Sequence, residues 1–306
     1  MTTQFKNLQQ PLDFFKEETT CKEYYEQKRW GGTIACPHCG NAGKIYRTNR
    51  GFKCGKKLCG KKFTVISGTI FENTKISLRL WFGAMYLIST SKKGVSSLQL
   101  AEQLGITQKT AWFVNHRIRA MLTDNSKDQF NSVTQIDETL VGGLNKNRHA
   151  DKKHKNTRGG KEKAIVIGAL GLNGKIKTTV IPNTEIATIL PVINKWVEKG
   201  SIMVTDEARQ YHKSLDADFL HVSINHSEGE YVRGGFTNNG IENFWSTFKR
   251  GIIGIYHFVS PQHLHRYATE FEYRFNNRED IGVDKFDTAL GGADAKRLKY
   301  DTLTGK

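Results

Sequence analysis

Four of the five cysteines in this 306-residue chain lie within 24 residues, at Cys36, Cys39, Cys54 and Cys59. Cys36-Pro-His-Cys39 is followed by fourteen residues, then Cys54, then four residues and Cys59. In a reducing compartment such crowding reads as metal binding before disulfides, and two knuckles offering two thiolates each suit tetrahedral Zn²⁺. Gly40 and Gly60 follow the second cysteine of each pair, where a tight knuckle needs a permissive backbone. Four thiolates leave no open coordination position, so one structural zinc is expected rather than a catalytic one. The four-residue gap of the second pair leaves the ligand set open to His38 as a substitute, though inside Cys-x-x-Cys it is expected to point outward, and Cys21 is expected to be a half-buried thiol on a helix.

A ribbon of this kind is too small to account for the chain, whose length allows about two domains at roughly 150 residues each. Hydrophobic residues make up 38% and aromatics 10%, enough for a core, which excludes wholesale disorder. Lys and Arg number 46 against 30 Asp and Glu, a net charge of +16. That surplus calls for a polyanionic partner, and nucleic acid is favoured, since no apolar run is long enough to cross a membrane. The start, MTTQFKNLQQ, has no apolar signal core, so a cytoplasmic protein is expected. Residues 41–62 carry eight Lys or Arg and no acid, among them Lys56 and Lys57. A one-signed patch on a zinc-stapled hairpin is suited to gripping phosphates.

The spacing of apolar residues predicts a helix over 11–30 and three helical pieces between 77 and 122. Ala101, Gly105 and Ala111 occupy the small-residue and turn positions of a helix-turn-helix, and Thr107 is placed to cap its second helix. Lys109, Asn115, Arg117 and Arg119 on that helix are candidate DNA contacts. Past Phe130 the pattern becomes β-ββ-α-β-(α)-β-α-α, one α/β domain with a hairpin around Asn173-Gly174 and helices near 239–250 and 261–276. The helix within 184–200 is expected to open at Thr184 and close at Gly200. A basic insertion at 145–163, with eight basic and two acidic residues, leaves the first strand and is a candidate DNA grip.

Two lone aspartates mark this domain. Asp137 lies near the end of an apolar strand and Asp206 ends the strand SIMVT. A carboxylate at a buried strand end is costly unless a cation sits there. Glu242 falls at the start of a helix, with thirty-five residues between it and Asp206. Three hard oxygen ligands from two strands and a helix suit Mg²⁺ or Mn²⁺. Glu138 and Glu207 adjoin the aspartates, so strand-end solvation is the competing reading, and Glu242 also fits a capping box with Asn239.

Cys-Pro-His-Cys-Gly, Val-Ile-Ser-Gly-Thr-Ile-Phe, Ile-Asp-Glu-Thr-Leu-Val-Gly-Gly and Asn-Asn-Gly-Ile-Glu-Asn-Phe-Trp-Ser-Thr-Phe-Lys-Arg-Gly together resemble the zinc-ribbon-bearing DDE transposases of bacterial insertion sequences with an ISXO2-like catalytic domain. Tyr256 to Ser260 and Glu270-Phe271 through Arg278 extend the match, which runs from about residue 12 to about 280. The resemblance implies a ribonuclease H-like catalytic domain whose acidic triad is Asp137, Asp206 and Glu242, with Lys249 as the basic residue seven further on. Seven residues is nearly two turns, so Glu242 and Lys249 share a helix face, and Arg250 beside them is a further DNA contact. Phe236 stands where the family usually has histidine.

The implied chemistry is two metals about 4 Å apart activating water or a DNA 3′-hydroxyl for in-line phosphoryl displacement. Its partners would be double-stranded DNA, as element inverted repeats and target, and other copies of the chain at paired ends in the bacterial nucleoid. The expected architecture is multidomain α+β: an N-terminal helical segment (1–32), zinc ribbon (33–72), helix-turn-helix region (73–125), ribonuclease H-like mixed-sheet domain (130–290) and C-terminal tail (291–306). The rivals are a non-catalytic DNA-binding regulator of the same descent and a ribonuclease H-like nuclease acting on RNA hybrids.

Overall fold

The computed structural model describes residues 5–124, 126–143, 163–206, 218–225, 228–230 and 232–305. The chain divides into two compact units, one formed by 1–123 with 279–306 and the other by 124–278. The C-terminal stretch therefore returns to the first unit, where the sequence suggested a catalytic domain running to 290 and a tail.

The first unit holds helices α1 (Gln9–Phe14) and α2 (Glu18–Trp30), strands β1 (Ile45–Thr48), β2 (Gly51–Cys54) and β3 (Lys62–Phe63), and helices α3 (Leu78–Thr90), α4 (Ser97–Leu104), α5 (Gln108–Met121), α9 (Gly282–Gly291) and α10 (Tyr300–Thr304). The helix expected over 11–30 is two, because the chain turns at Phe15 to bury that ring, 1% exposed, against Phe5, Phe82 and Phe286. Phe286 explains the return of α9: its side chain is fully buried among rings 200 or more residues earlier in sequence. Glu18, in the first turn of α2, accepts the Leu78 and Arg79 amides at 3.1 and 3.3 Å and so caps α3 from outside it.

The α4–α5 pair follows the local rules. Ser96 and Thr107 accept the third-residue amides of their helices from Gln99 and Thr110. Gly105 takes φ 64° and ends α4, a left-handed conformation that other residues adopt at a cost. Ala111 and Leu100 are fully buried where the two helices meet.

The second unit is a five-stranded sheet in the order β6-β5-β4-β7-β8, from β4 (Thr134–Val141), β5 (Ala164–Gly171), β6 (Ile176–Ile181), β7 (Ile202–Asp206) and β8 (Leu220–Ile224). β4, β5 and β6 pair antiparallel, while β7 and β8 run parallel to β4, so the sheet is mixed. The β5–β6 hairpin turns at Asn173-Gly174 as the sequence indicates, with Gly174 at φ 72°. One face carries Ile136, Ile167, Ala169 and Met203 under α6 (Ile186–Trp196). The other carries Val166, Leu170 and Ile176 under α7 (Asn239–Gly251) and α8 (Pro261–Asn276). α6 starts after Glu185 and ends at Trp196, inside the span expected from Thr184 to Gly200. The bracketed helix of the expected order and the basic insertion at 145–163, but for Lys163, lie outside the described residues, as does Glu207.

β6 is a sheet edge, and α8 covers it. Asn276 accepts the Ile176 amide at 2.7 Å and donates to the Ile176 carbonyl at 2.9 Å, while Glu272 accepts the Thr178 amide at 2.7 Å. Side chains one turn apart on α8 thus satisfy the backbone groups that an open edge would leave for another strand. Glu270 and Arg274, both buried, form an ion pair on the same helix, and the Tyr256 hydroxyl donates to Glu270 at 2.5 Å.

Candidate catalytic centre and zinc site

The β4–β7 register brings the two aspartates together. Thr134 pairs with Met203 and Gln135 with Val204, each two residues before Asp137 and Asp206 on their strands, and the charge of Asp206 acts on Asp137. Residues in step on neighbouring strands point to one face. Ile136 and Met203 point under α6, so by alternation Gln135, Asp137 and Asp206 point to the side of α7 and α8. Asp137 is within β4 rather than at its end, opposite Gly168 of β5.

α7 is then laid across that face. Ile241, Phe244, Trp245 and Phe248 form its buried stripe, at spacings that one side of a helix presents. A methyl group on Gly168 would meet the Trp245 ring at 2.8 Å, and one on Gly240 would meet Leu170 at 2.7 Å. Both glycines allow the close approach. Gln135 fixes the helix start: its side-chain oxygen accepts the Ile241 amide at 2.9 Å. The Asn238 side chain makes no cap bond, and a capping box of Glu242 with Asn239 is absent, since Asn239 is already the first helical residue. Glu242 is exposed in the first turn, and Lys249 and Arg250 are exposed in the last.

The electrostatics at Asp137 register this assembly. Burial raises its pKa, Asp206 adds to the rise and Glu242 adds less, while the Glu138 amide and Lys249 oppose it, leaving it at about 7. The Glu138 amide donates to Asp137 Oδ1 at 2.8 Å. Glu138 itself is pushed up to about 8 by burial, then by Asp137 and Asp206. Asp137, Asp206, Glu242 and Lys249, far apart in sequence, are therefore one electrostatic cluster. Mutual repulsion of the carboxylates, together with burial, is what raises these two groups. The three acids do not draw their oxygens together as tightly as the cysteines do their sulfurs.

The cysteine site is more compact. The sulfurs of Cys36, Cys39, Cys54 and Cys59 all lie within 4.8 Å of one another, with Cys36–Cys59 at 3.9 Å and Cys39–Cys54 at 3.7 Å. Zn–S bonds of about 2.3 Å in a tetrahedron require S–S edges of about 3.8 Å. The four cysteines thus fit a structural zinc. Gly40 and Gly60 take φ 69° and 57° in the two knuckles, and His38 is exposed and outside the cluster. Phe52 and Phe63 bury against Trp30 of α2 beside the cysteines. Cys21 is fully buried, more than the half expected, with its pKa pushed up to about 12 by burial and then by Glu18.

Among the other predicted contacts, Lys56, Lys57 and Lys109 are exposed. Asn115, Arg117 and Arg119 are corrected: they are 1%, 5% and 3% exposed and present no surface to a duplex. Asn115 donates to the Val95 carbonyl at 3.3 Å, and Arg117 is sandwiched by Trp81 and Phe113 at 5.2 Å from each ring. Gln135 and Gly240 carry no sequence signal beyond standing two residues from an acid, and Gly168 carries none, because their roles depend on α7 arriving across the sheet.

The family described as "ISXO2-like transposase domain" matches residues 130–276, and "Transposase zinc-ribbon domain" matches residues 16–62. An "Uncharacterized transposase-like protein" of Haemophilus influenzae is 38% identical over 105 residues, covering 34% of this chain and 84% of its own. An "Uncharacterized protein in transposable element ISH50" of Halobacterium salinarum is 28% identical over 297 residues, covering 92% of this chain and 98% of its own.

Proposed function

The chain belongs to the ISXO2-like transposase family with a transposase zinc ribbon, and from that premise we propose that it binds the ends of an insertion sequence and carries out metal-dependent DNA strand cleavage and strand transfer. The observation that carries this reading is that Asp137 and Asp206 lie on neighbouring strands that pair two residues before them, with the charges of Asp206, Glu242 and Lys249 felt at Asp137. The sheet order, an antiparallel meander continued by two parallel strands, supports the ribonuclease H-like assignment.

Asp137, Asp206 and Glu242 would hold Mg²⁺ or Mn²⁺, two ions per site. When bound, such ions lower the pKa of water or a 3′-hydroxyl and stabilise the leaving oxygen. The chain's own part is placement. The Glu138 amide fixes the Asp137 carboxylate, Gln135 holds the α7 terminus, and Lys249 is a point charge for a DNA phosphate on the helix face of Glu242.

The α4–α5 pair, with its Gly105 turn, is the helix-turn-helix of this reading, and Lys109 at the start of α5 its base or phosphate contact. Lys56, Lys57 and Arg250 add phosphate contacts, and zinc holds the ribbon that carries the first two. Paired DNA ends would bring together copies of the chain in the cytoplasm, at the nucleoid. No helix among the described residues is long and apolar enough to cross a membrane.

Cleavage of a labelled element end with and without Mg²⁺ tests the reading. Mg²⁺-dependent nicking at the element boundary is expected. Salt-dependent DNA binding without nicking would leave a non-catalytic regulator, and cleavage confined to RNA hybrids would leave a nuclease. Log affinity should fall linearly with log salt, at roughly 0.9 per phosphate neutralised.

A further inference from the structure

The unit that carries the α4–α5 pair contains a cavity of about 350 Å³ beside the start of α5. Its lining includes three cations, Lys75, Lys109 and Arg117, and three rings, Trp81, Phe113 and Tyr300, with no carboxylate. Lys109, Phe113 and Arg117 are four residues apart in turn and form one stripe of α5. Lys109 Nζ lies 4.8 Å from the Tyr300 ring centroid, and Tyr300 meets Phe113 edge-on at 5.6 Å.

Arg117 makes the cavity unusual. Its side chain is 95% buried, and among the described residues no acid pairs with it: one Nη donates to the Glu72 carbonyl at 3.2 Å, and Nε has no hydrogen-bond partner. Burial and then the nearby Arg297, another cation, lower its pKa to about 10. A buried charge with an unmet donor and no counter-ion is costly unless an anion arrives from outside. The rings select further. Trp81 is 1% exposed and backs Arg117, but Phe113 and Tyr300 are half-buried, so a bare phosphate would leave two rings unused and an apolar peptide would leave the cations without an anion. A ligand with a flat ring at one end and a negative charge at the other uses both, and a cavity of this size suits a small group.

We propose that this cavity receives one nucleotide of DNA swung out of the helical stack, its base against the half-buried Phe113 and Tyr300 and its phosphate on Lys75 and Lys109, with the buried charge of Arg117 behind them. The proposal rests on the reading of α4–α5 as a duplex-facing pair, since that reading brings DNA to the mouth of the cavity at Lys109. It also gives buried Arg117 a role that exposed base reading could not.

The test uses the full zinc-loaded chain and two duplexes of one sequence, one fully paired and one carrying a single extrahelical adenine. The wild type should bind the second roughly tenfold tighter, the scale of one stacked base. Tyr300→Ala should bring the ratio of affinities close to one, and Tyr300→Phe should preserve it, because the ring and not the hydroxyl stacks. Arg117→Met, which keeps bulk and loses charge, should also reduce the ratio, with circular dichroism and a melting curve checking that it folds. Equal wild-type affinity for the two duplexes would overturn the cavity assignment while leaving DNA binding intact. A preference that survives in Tyr300→Ala would also overturn it, by showing that the bent duplex alone is favoured. Failure to bind either duplex at low salt would instead remove the DNA-binding reading beneath it.

Discussion

The side-chain oxygen of Gln135 accepts the backbone amide of Ile241 at 2.9 Å, joining the strand of Asp137 to the helix of Glu242. The bond satisfies one amide that a helix start leaves open, and it does so from residue 135, on the sheet face of Asp137. Gln135→Ala should cost about 1 kcal/mol of stability, the value of a typical cap, and lower strand cleavage by about tenfold or more. DNA affinity should change little. A cleavage gel beside a binding titration checks this, and Gln135→Glu, which also offers an oxygen, should recover part of the activity.

Glu242 and Lys249 share an exposed face of α7 but should fail differently. Glu242→Gln should retain DNA binding and lose cleavage, since the amide offers an oxygen without the charge that holds a cation. Lys249→Ala should weaken end binding, lower the salt slope by about one and reduce cleavage without abolishing it at saturating protein. An active Glu242→Gln enzyme would point to a different third ligand, with Glu138 the nearest described acid.

Gly168 faces Asp137 across the β4–β5 pair, and an added methyl would stand 2.8 Å from the Trp245 ring. That ring is buried between helix and sheet, so Gly168→Ala must push α7 outward. A loss of roughly 1–3 kcal/mol is expected from overpacking. Cleavage should fall more than the unfolded fraction explains, read by comparing a denaturation midpoint with the rate at saturating DNA.

Removing zinc should act locally. Structural zinc supplies folding free energy, so a chelator should unfold the ribbon while the sheet unit, a separate compact unit, keeps its spectrum. Metal analysis should give one zinc per chain. Zinc retained in a Cys54→Ser, Cys59→Ser double variant would refute the ligand set.

Stability of the metal-free protein should fall as pH rises from about 4.5 to about 7. The Glu272 carboxyl is raised from 4.5 to about 7, chiefly by burial, with the Thr178 bonds opposing the rise. The folded state then binds more protons than the unfolded one across this window, so the contribution is complete below the unfolded pKa and lost as pH passes the folded one. Glu272→Gln keeps an oxygen for the Thr178 amide and should flatten the profile in part, because Asp137 and Glu138 titrate upward in the same range. Denaturant midpoints at several pH values would show whether the slope changes.

What the sequence determines here is what short spans of chain control. The cysteine intervals, the glycines at 40, 60, 105 and 174, and the Thr107 cap each depend on a few neighbouring residues, and each stands where the sequence puts it. The alternation of β4 and β7 likewise assigns Asp137 and Asp206 to faces before any packing is known. Tertiary structure decided which faces are covered. Asn115, Arg117 and Arg119 look like surface donors on a polar helix, but all three are buried, Arg117 against the Trp81 and Phe113 rings. Residues up to 290 read as the end of the catalytic domain, yet Phe286 finds its ring contacts at Phe5, Phe15 and Phe82, in the other unit. Gln135 is an unremarkable strand residue until α7 lies over it. Burial and docking depend on partners hundreds of residues away, and no local window of sequence contains them.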